Sequence, residues 1–243
     1  MKLNIILVAA AFFVCALPAA AQEDQEIVVT GSRIARYEGD IVPVIRLQRK
    51  ADFMIVSAIV ESDSRDAKLR QDEVLKTLEA MATRADRDSK IELGLSRTYE
   101  SDDDEIEIVA PFTRSALTAN LLSKGKREDT SYATVIIKTP IEPSKDTFDG
   151  AQSRIAAFVK TVPVTGRATI TADQDPGLSI VNLDQYRAPL LKMLAADDVA
   201  IQSIFGNSYR LSISGLENPV RWRVTGPLDL AIYFPYKSAV SQN

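Results

Sequence analysis

The apolar positions of the chain fall into three kinds of pattern, and the first is a continuous run. Leu3 to Leu17 is almost unbroken behind Lys2, and Ala19-Ala20-Ala21 gives a small-x-small site before the polar Gln22-Glu23-Asp24. These are the parts of a secretory signal peptide. A membrane anchor is the competing reading, but the run is shorter than the ~20 residues a crossing helix needs. No basic stop-transfer residues follow it either. The expectation is a signal peptide over residues 1–21, then an exported mature chain with no membrane span.

The second pattern is alternation, which predicts strands. Ile41 to Glu61 is rich in strand formers and is interrupted by Arg49-Lys50-Ala51-Asp52, giving two strands or one long bent one. Further strands are expected at Ile91–Leu95, Glu105–Val109, Arg167–Thr171, Leu178–Leu183, Tyr209–Leu216 and Val220–Tyr236. In Ser131–Ile141, Tyr132, Thr134, Ile136 and Lys138 share one face, and Ala133, Val135, Ile137 and Thr139 the other.

The third pattern is helical spacing. Ala67, Val74, Leu75, Leu78, Met81, Ala82 and Ala85 mark a first helix capped by Asp63 or Ser64, with Lys68, Arg70, Asp72, Glu73, Lys76 and Glu79 expected on a solvated face. A second begins near Asp146, carries Phe148, Ala151, Ile155, Phe158, Val159 and Val162, and is closed by Pro163. A third runs from about Asp184 to Phe205, with Pro189 in the first turn of its longer part and Gly206-Asn207 at its end. Thr113 to Gly125 is too short to fix a period, and Ser238 to Asn243 reads as a polar, frayed tail. Several strand-to-strand links are too short for crossover helices. The fold class is therefore α+β, with mixed or antiparallel sheets packed with about three helices, in a body spanning residues 41–237.

Between signal and body lies Glu26-Ile27-Val28-Val29-Thr30-Gly31-Ser32-Arg33-Ile34, a β-branched run ended by glycine. It resembles the TonB box, the energy-coupling segment at the start of outer-membrane TonB-dependent receptors. Such a receptor needs a barrel of some twenty-two strands, which this length cannot hold. The resemblance implies docking by strand addition, with Glu26, Ile27, Val28, Val29, Thr30 and Gly31 as the partner-binding residues of an extended arm over residues 22–40. The other reading is a strand of the protein's own sheet. Over residues 44–237 the order of elements resembles the SIMPL (DUF541) family of exported bacterial proteins. That likeness rests on Ile59-Val60-Glu61 leading into a helix, on Tyr132-Ala133-Thr134-Val135-Ile136-Ile137 ahead of Asp146–Ile155, and on Ala195-Ala196-Asp197-Asp198 before Gly206. It implies an α+β envelope protein, able to form homo-oligomers, with no established catalytic residues.

Composition narrows the chemistry. The chain has no histidine, and its single cysteine, Cys15, lies in the signal peptide. The mature protein therefore lacks Ser-His-Asp and Cys-His nucleophile pairs, His/Cys zinc sites and disulfides. Removing Lys2 from 29 basic residues set against 33 acidic ones leaves a net charge of about −5, without the clustered cationic footprint of a nucleic-acid binder. Asp102-Asp103-Asp104-Glu105 with Glu107 lacks the glycine and spacing of a calcium loop. Asp197 and Asp198 are helix neighbours that point apart. Lys124-Gly125-Lys126-Arg127 lacks phosphate-loop spacing. Trp222, between Arg221 and Arg223, reads as an inward aromatic on a strand rather than a stacking platform. No catalytic residue, metal ligand or cofactor is assigned. The expected function is a non-enzymatic periplasmic or outer-membrane-associated protein acting through protein contacts, with TonB or another envelope protein as partner. The alternative is a periplasmic ligand-binding accessory of a TonB-dependent uptake system.

Overall fold

A computed structural model describes residues 26–29, 43–100, 105–125, 129–206 and 208–242. Its strands are β1 (Glu26–Val29), β2 (Leu47–Lys50), β3 (Phe53–Ser62), β4 (Glu92–Glu100), β5 (Glu105–Pro111), β6 (Ser123–Lys124), β7 (Ser131–Pro140), β8 (Thr169–Ala172), β9 (Gly177–Val181), β10 (Tyr209–Ser214), β11 (Arg221–Val224), β12 (Asp229–Tyr233) and β13 (Lys237–Gln242). The helices are α1 (Ala67–Ala85), α2 (Phe148–Thr161) and α3 (Arg187–Phe205). This is the expected α+β fold with three helices, and every strand pairing is antiparallel.

The long strands β3 and β7 pair along their whole length, from Phe53 opposite Pro140 to Ser62 opposite Ser131. Each has one further edge, which it shares between two neighbours. Near Phe53, β3 pairs with β9 and β7 with β4; near Ser62, β3 pairs with β8 and β7 with β6. Since β4 pairs with β5, and β1 bridges β5 to β9, six strands close into a ring in the order β3-β7-β4-β5-β1-β9. At the other end the sheet stays open as β6-β7-β3-β8.

Alternation decides the two faces. Met54, Val56, Ala58 and Val60 from β3, with Ala133, Val135 and Ile137 from β7, are buried against Val74, Leu78 and Met81 of α1 and Ala151, Ile155 and Phe158 of α2. The opposite face holds a smaller cluster of Ile55, Ile136 and Val109, with Phe53 packed against it and Lys138 Nζ 4.3 Å from the Phe53 ring centre. The helices pack on the other face, so this cluster is dry because the ring of strands curls over it. Gly94 makes the curl possible, since a Cβ there would lie 2.2 Å from Val109 Cγ1.

One residue ties this sheet to the second one, β11-β12-β2. β2 and β3 meet at a corner formed by Ala51 and Asp52. The Asp52 N–H donates to Ser179 O at 3.0 Å and its carbonyl accepts from Ile141 N at 2.9 Å. Its carboxylate accepts from Val181 N at 2.9 Å and pairs with Arg49. Sequence reading took Arg49 to Asp52 as a mere interruption; Arg49 and Lys50 end β2, and Asp52 is where β2, β7 and β9 are fastened.

Other boundaries differ for local reasons. Asp66, not Asp63 or Ser64, caps α1, its carboxylate accepting from Leu69 N at 2.8 Å. Thr147 caps α2 through Gly150 N, and Leu183–Tyr186 forms a 3₁₀ turn before α3. Thr113 to Gly125 resolves into two 3₁₀ turns followed by β6. The tail expected to fray from Ser238 is β13, paired residue by residue with β10. Polarity at that end signals exposure, and strand pairing supplies the order.

Replacing Asp52 tests the corner. Asp52→Ala should cost about 1–3 kcal/mol in urea unfolding, because Val181 N–H loses its acceptor. Asp52→Asn, which keeps an acceptor oxygen, should lose distinctly less.

Candidate functional site

Residues Glu26 to Val29 of the TonB-box-like run form β1, and Thr30 to Ile34 lie outside the described residues. β1 sits in a slot between two strands. On one side Glu26, Ile27, Val28 and Val29 are opposite Val181, Ile180, Ser179 and Leu178 of β9; on the other, Ile27 is opposite Ile108 of β5. Of the two readings open in the sequence, these four residues take the conformation of a strand in the protein's own sheet. The slot exists because β5 and β9 each present an edge to it. An inserted strand satisfies the backbone donors and acceptors of both edges, whatever side chains it carries.

Beyond the ring, on the face away from the helices, the open end of the sheet forms a trough of about 1000 Å³. Its floor is set by cross-strand pairs, Ile59 with Thr134 and Glu61 with Tyr132. Lys124 and Arg167 stand on its two walls. Arg167 is held by Asp63 through two hydrogen bonds of 2.6 and 2.9 Å, an ion pair that fixes where the guanidinium stands. The trough is open and mixed in polarity. It differs from the enclosed apolar cavity that small-molecule sites usually have.

The rim of this trough is fixed by a buried acid that sequence reading placed on the solvated face of α1. Glu73 is 5% exposed. Its Oε2 accepts from Ser62 Oγ at 2.5 Å and Ser64 Oγ at 2.8 Å. The Ser62 hydrogen bond holds the carboxyl below its ordinary 4.5, against the opposing effect of burial, with Ser64 and the Arg167 backbone and charge adding to it. One turn earlier, buried Arg70 donates through Nη1 to the carbonyls of Ser64 and Arg65 at 2.9 and 3.0 Å. One turn later, Thr77 Oγ1 accepts from Thr165 N at 3.1 Å. Gly166 stands against Glu73 with φ +58°, where any Cβ would lie 2.0 Å from Oε1. The charge pattern of α1 could not reveal this, because Arg70, Glu73 and Thr77 look like ordinary solvated positions. The signal was the serine on either side of Asp63, two hydroxyls at alternate positions leaving the strand.

A serine beside a carboxylate invites a nucleophilic reading, but both hydroxyls are buried and donate to an acid of depressed basicity, so this group acts as a clamp. The other candidate positions fall as follows. Asp102 to Asp104 lie outside the described residues, while Glu105 and Glu107 belong to β5. Among the described residues no group of three or more acidic, histidine or cysteine side chains could hold a metal ion. Asp198 accepts from Gln202 on its own helix at 3.1 Å. Lys124 ends β6 and Gly125 N donates to Thr130 O at 3.2 Å, while Lys126 and Arg127 lie outside the described residues. Trp222 is half-buried against the main core, opposite Ile232 of β12. No helix among the described residues is long and apolar enough to cross a membrane. Comparison with protein-family models, with curated proteins and with solved structures finds no match.

The clamp has a pH signature. A carboxyl whose folded pKa lies below 4.5 stabilises the protein fully above that pH, and the contribution is lost as pH falls through the folded value. Glu73→Gln should cost about 1–3 kcal/mol at neutral pH, with the gap from the parent closing in acid. Thermal unfolding from pH 7 down to pH 3 measures it; a gap independent of pH would show that the charge of Glu73 contributes nothing.

Proposed function

We propose that this is an exported, non-enzymatic envelope protein that works through protein contacts, with Glu26 to Gly31 as a docking strand for TonB or a TonB-like partner. The observation that carries the reading is the mode in which β1 is held. The first four residues of the segment resembling the TonB box, Glu26 to Val29, already form an added strand, paired through its backbone in a slot between β5 and β9. A sheet edge on a partner offers the same hydrogen bonds, so the body and the partner compete for one short strand. Four residues paired at one position on one side make a modest cis competitor. The resemblance to the TonB box supports the choice of partner, and the run of apolar residues before Ala21 supports export.

A second reading, a ligand-binding accessory of a TonB-dependent uptake system, draws on the trough over Ile59, Thr134 and Tyr132. Its openness favours an extended or polymeric ligand over a small enclosed one.

The soluble periplasmic domain of TonB should capture the mature chain, and deletion of Glu26 to Ser32 should abolish capture. Equal capture of both forms sinks the docking reading. Hydrogen exchange supplies an independent signature, because a partner that withdraws β1 leaves the β9 edge open. Amides of Leu178 and Ile180, which face β1, should exchange faster when the partner is added and stay unchanged when an unrelated protein is added.

A further inference from the structure

The second half of α3 and the ribbon β10–β13 form a unit with no inside. From Ala195 to Phe205 no residue is buried, and neither strand contributes a buried one. Anchoring to the body comes from Leu190 and Leu194 at the start of α3 and from half-buried Ile213 at the end of β10. Along the end of the helix and the ribbon, Val199, Ile204, Phe205, Tyr209 and Val240 are between 40% and 78% exposed. Phe205 and Tyr209 stack edge-on at 5.8 Å, joining helix end to ribbon. A two-stranded ribbon is marginal in water, and exposed apolar side chains gathered on it and on the adjoining helix end suit a contact surface.

The occupant can be read from the ribbon's edge. Among the described residues β10 and β13 pair only with each other. Lys237 opens β13, and beyond it the outer edge runs Ser238-Ala239-Val240-Ser241 without a further charge, a proline or a bulge of the kind that usually protects such an edge. An antiparallel contact between two copies of one strand needs a two-fold axis perpendicular to the sheet, which sets a residue against itself and keeps both copies' faces aligned. Centred on Val240, that register sets Ala239 opposite Ser241 and Ser238 opposite Gln242. No like charges meet. Val240 shares its face with Leu211, its partner on β10. Both copies of α3 then lie on the same side of a four-stranded sheet. A lipid surface fits less well, because Asp197 and Asp198 flank the patch on α3 and anionic headgroups would repel them.

We infer that β13 is a self-complementary dimer edge, through which two copies of this chain join their ribbons into one four-stranded sheet with Val240 at the two-fold axis. Directly opposed Cβ atoms lie about 4.5–5.5 Å apart. In a Cys15→Ser background, Val240→Cys should therefore form a covalent dimer under mild oxidation, while Arg210→Cys, exposed on the other strand, should not. Sedimentation should show the parent as a dimer, and Val240→Lys should raise its dissociation constant on the order of tenfold by opposing two ammonium groups. The urea midpoint should stay close to the parent's, because Val240 lies outside the core. A parent that sediments as a monomer overturns the proposal, and so does equal cross-linking at residues 210 and 240. A monomer that instead binds phosphatidylcholine–phosphatidylglycerol vesicles through Ile204 and Phe205 overturns it in favour of a lipid surface.

Discussion

The corner at Asp52 is the constraint on which the arrangement depends. Within one residue, the main-chain N–H fastens β9, the carbonyl fastens the end of β7, and the carboxylate fastens β9 a second time through Val181. Each bond alone is worth on the order of 1 kcal/mol, but they converge on one residue and therefore fix relative position as well as energy. With β9 held against the start of β3, its far edge is set at the distance from β5 that a single strand can fill. The slot for β1 follows from that corner. So does the placement of the smaller sheet, because β2 runs straight into it and carries β12 and β11 alongside.

At the opposite end of β3 the same strand ends in the Glu73 clamp. There the sheet is open and the chain leaves for α1 through Ser62, Asp63 and Ser64. The two hydroxyls turn inward to Glu73 and the acid between them turns outward to Arg167. Alternation along a strand thus fixes both the buried acid and the charged wall of the trough. Hydrophobic burial against α1 and α2 supplies the bulk of the stabilisation, and these two polar termini decide how β3 is oriented within it.

Much of the fold was legible because alternation and helical spacing are properties of single segments. The faces of β7, the apolar stripe of α2 and the place of Pro189 in the first turn of α3 follow from spacing alone. What was not legible depends on contacts between distant segments. Nothing in Glu26 to Val29 says that β5 and β9 leave a gap of one strand. Nothing near Asp52 announces a partner in Val181. Arg70 and Glu73 read as solvated because a helical charge pattern cannot tell solvent from a covering turn such as Thr165 to Arg167. Polarity misled in the opposite sense at Ser238 to Gln242, where exposed residues are nevertheless paired.

The ring has a consequence in time. Its closing strand is the first described element of the chain, whereas one of the two edges that receive it, β9, comes some hundred and fifty residues later. Pairing across such a separation is the slowest kind of contact to form. During synthesis the β-branched segment therefore lacks its longer edge until Gly177 to Val181 follow, with only the β5 edge made before them. Whatever meets it in that interval encounters it before its own slot exists, so the history of the molecule, as well as its equilibrium, governs which sheet the strand joins.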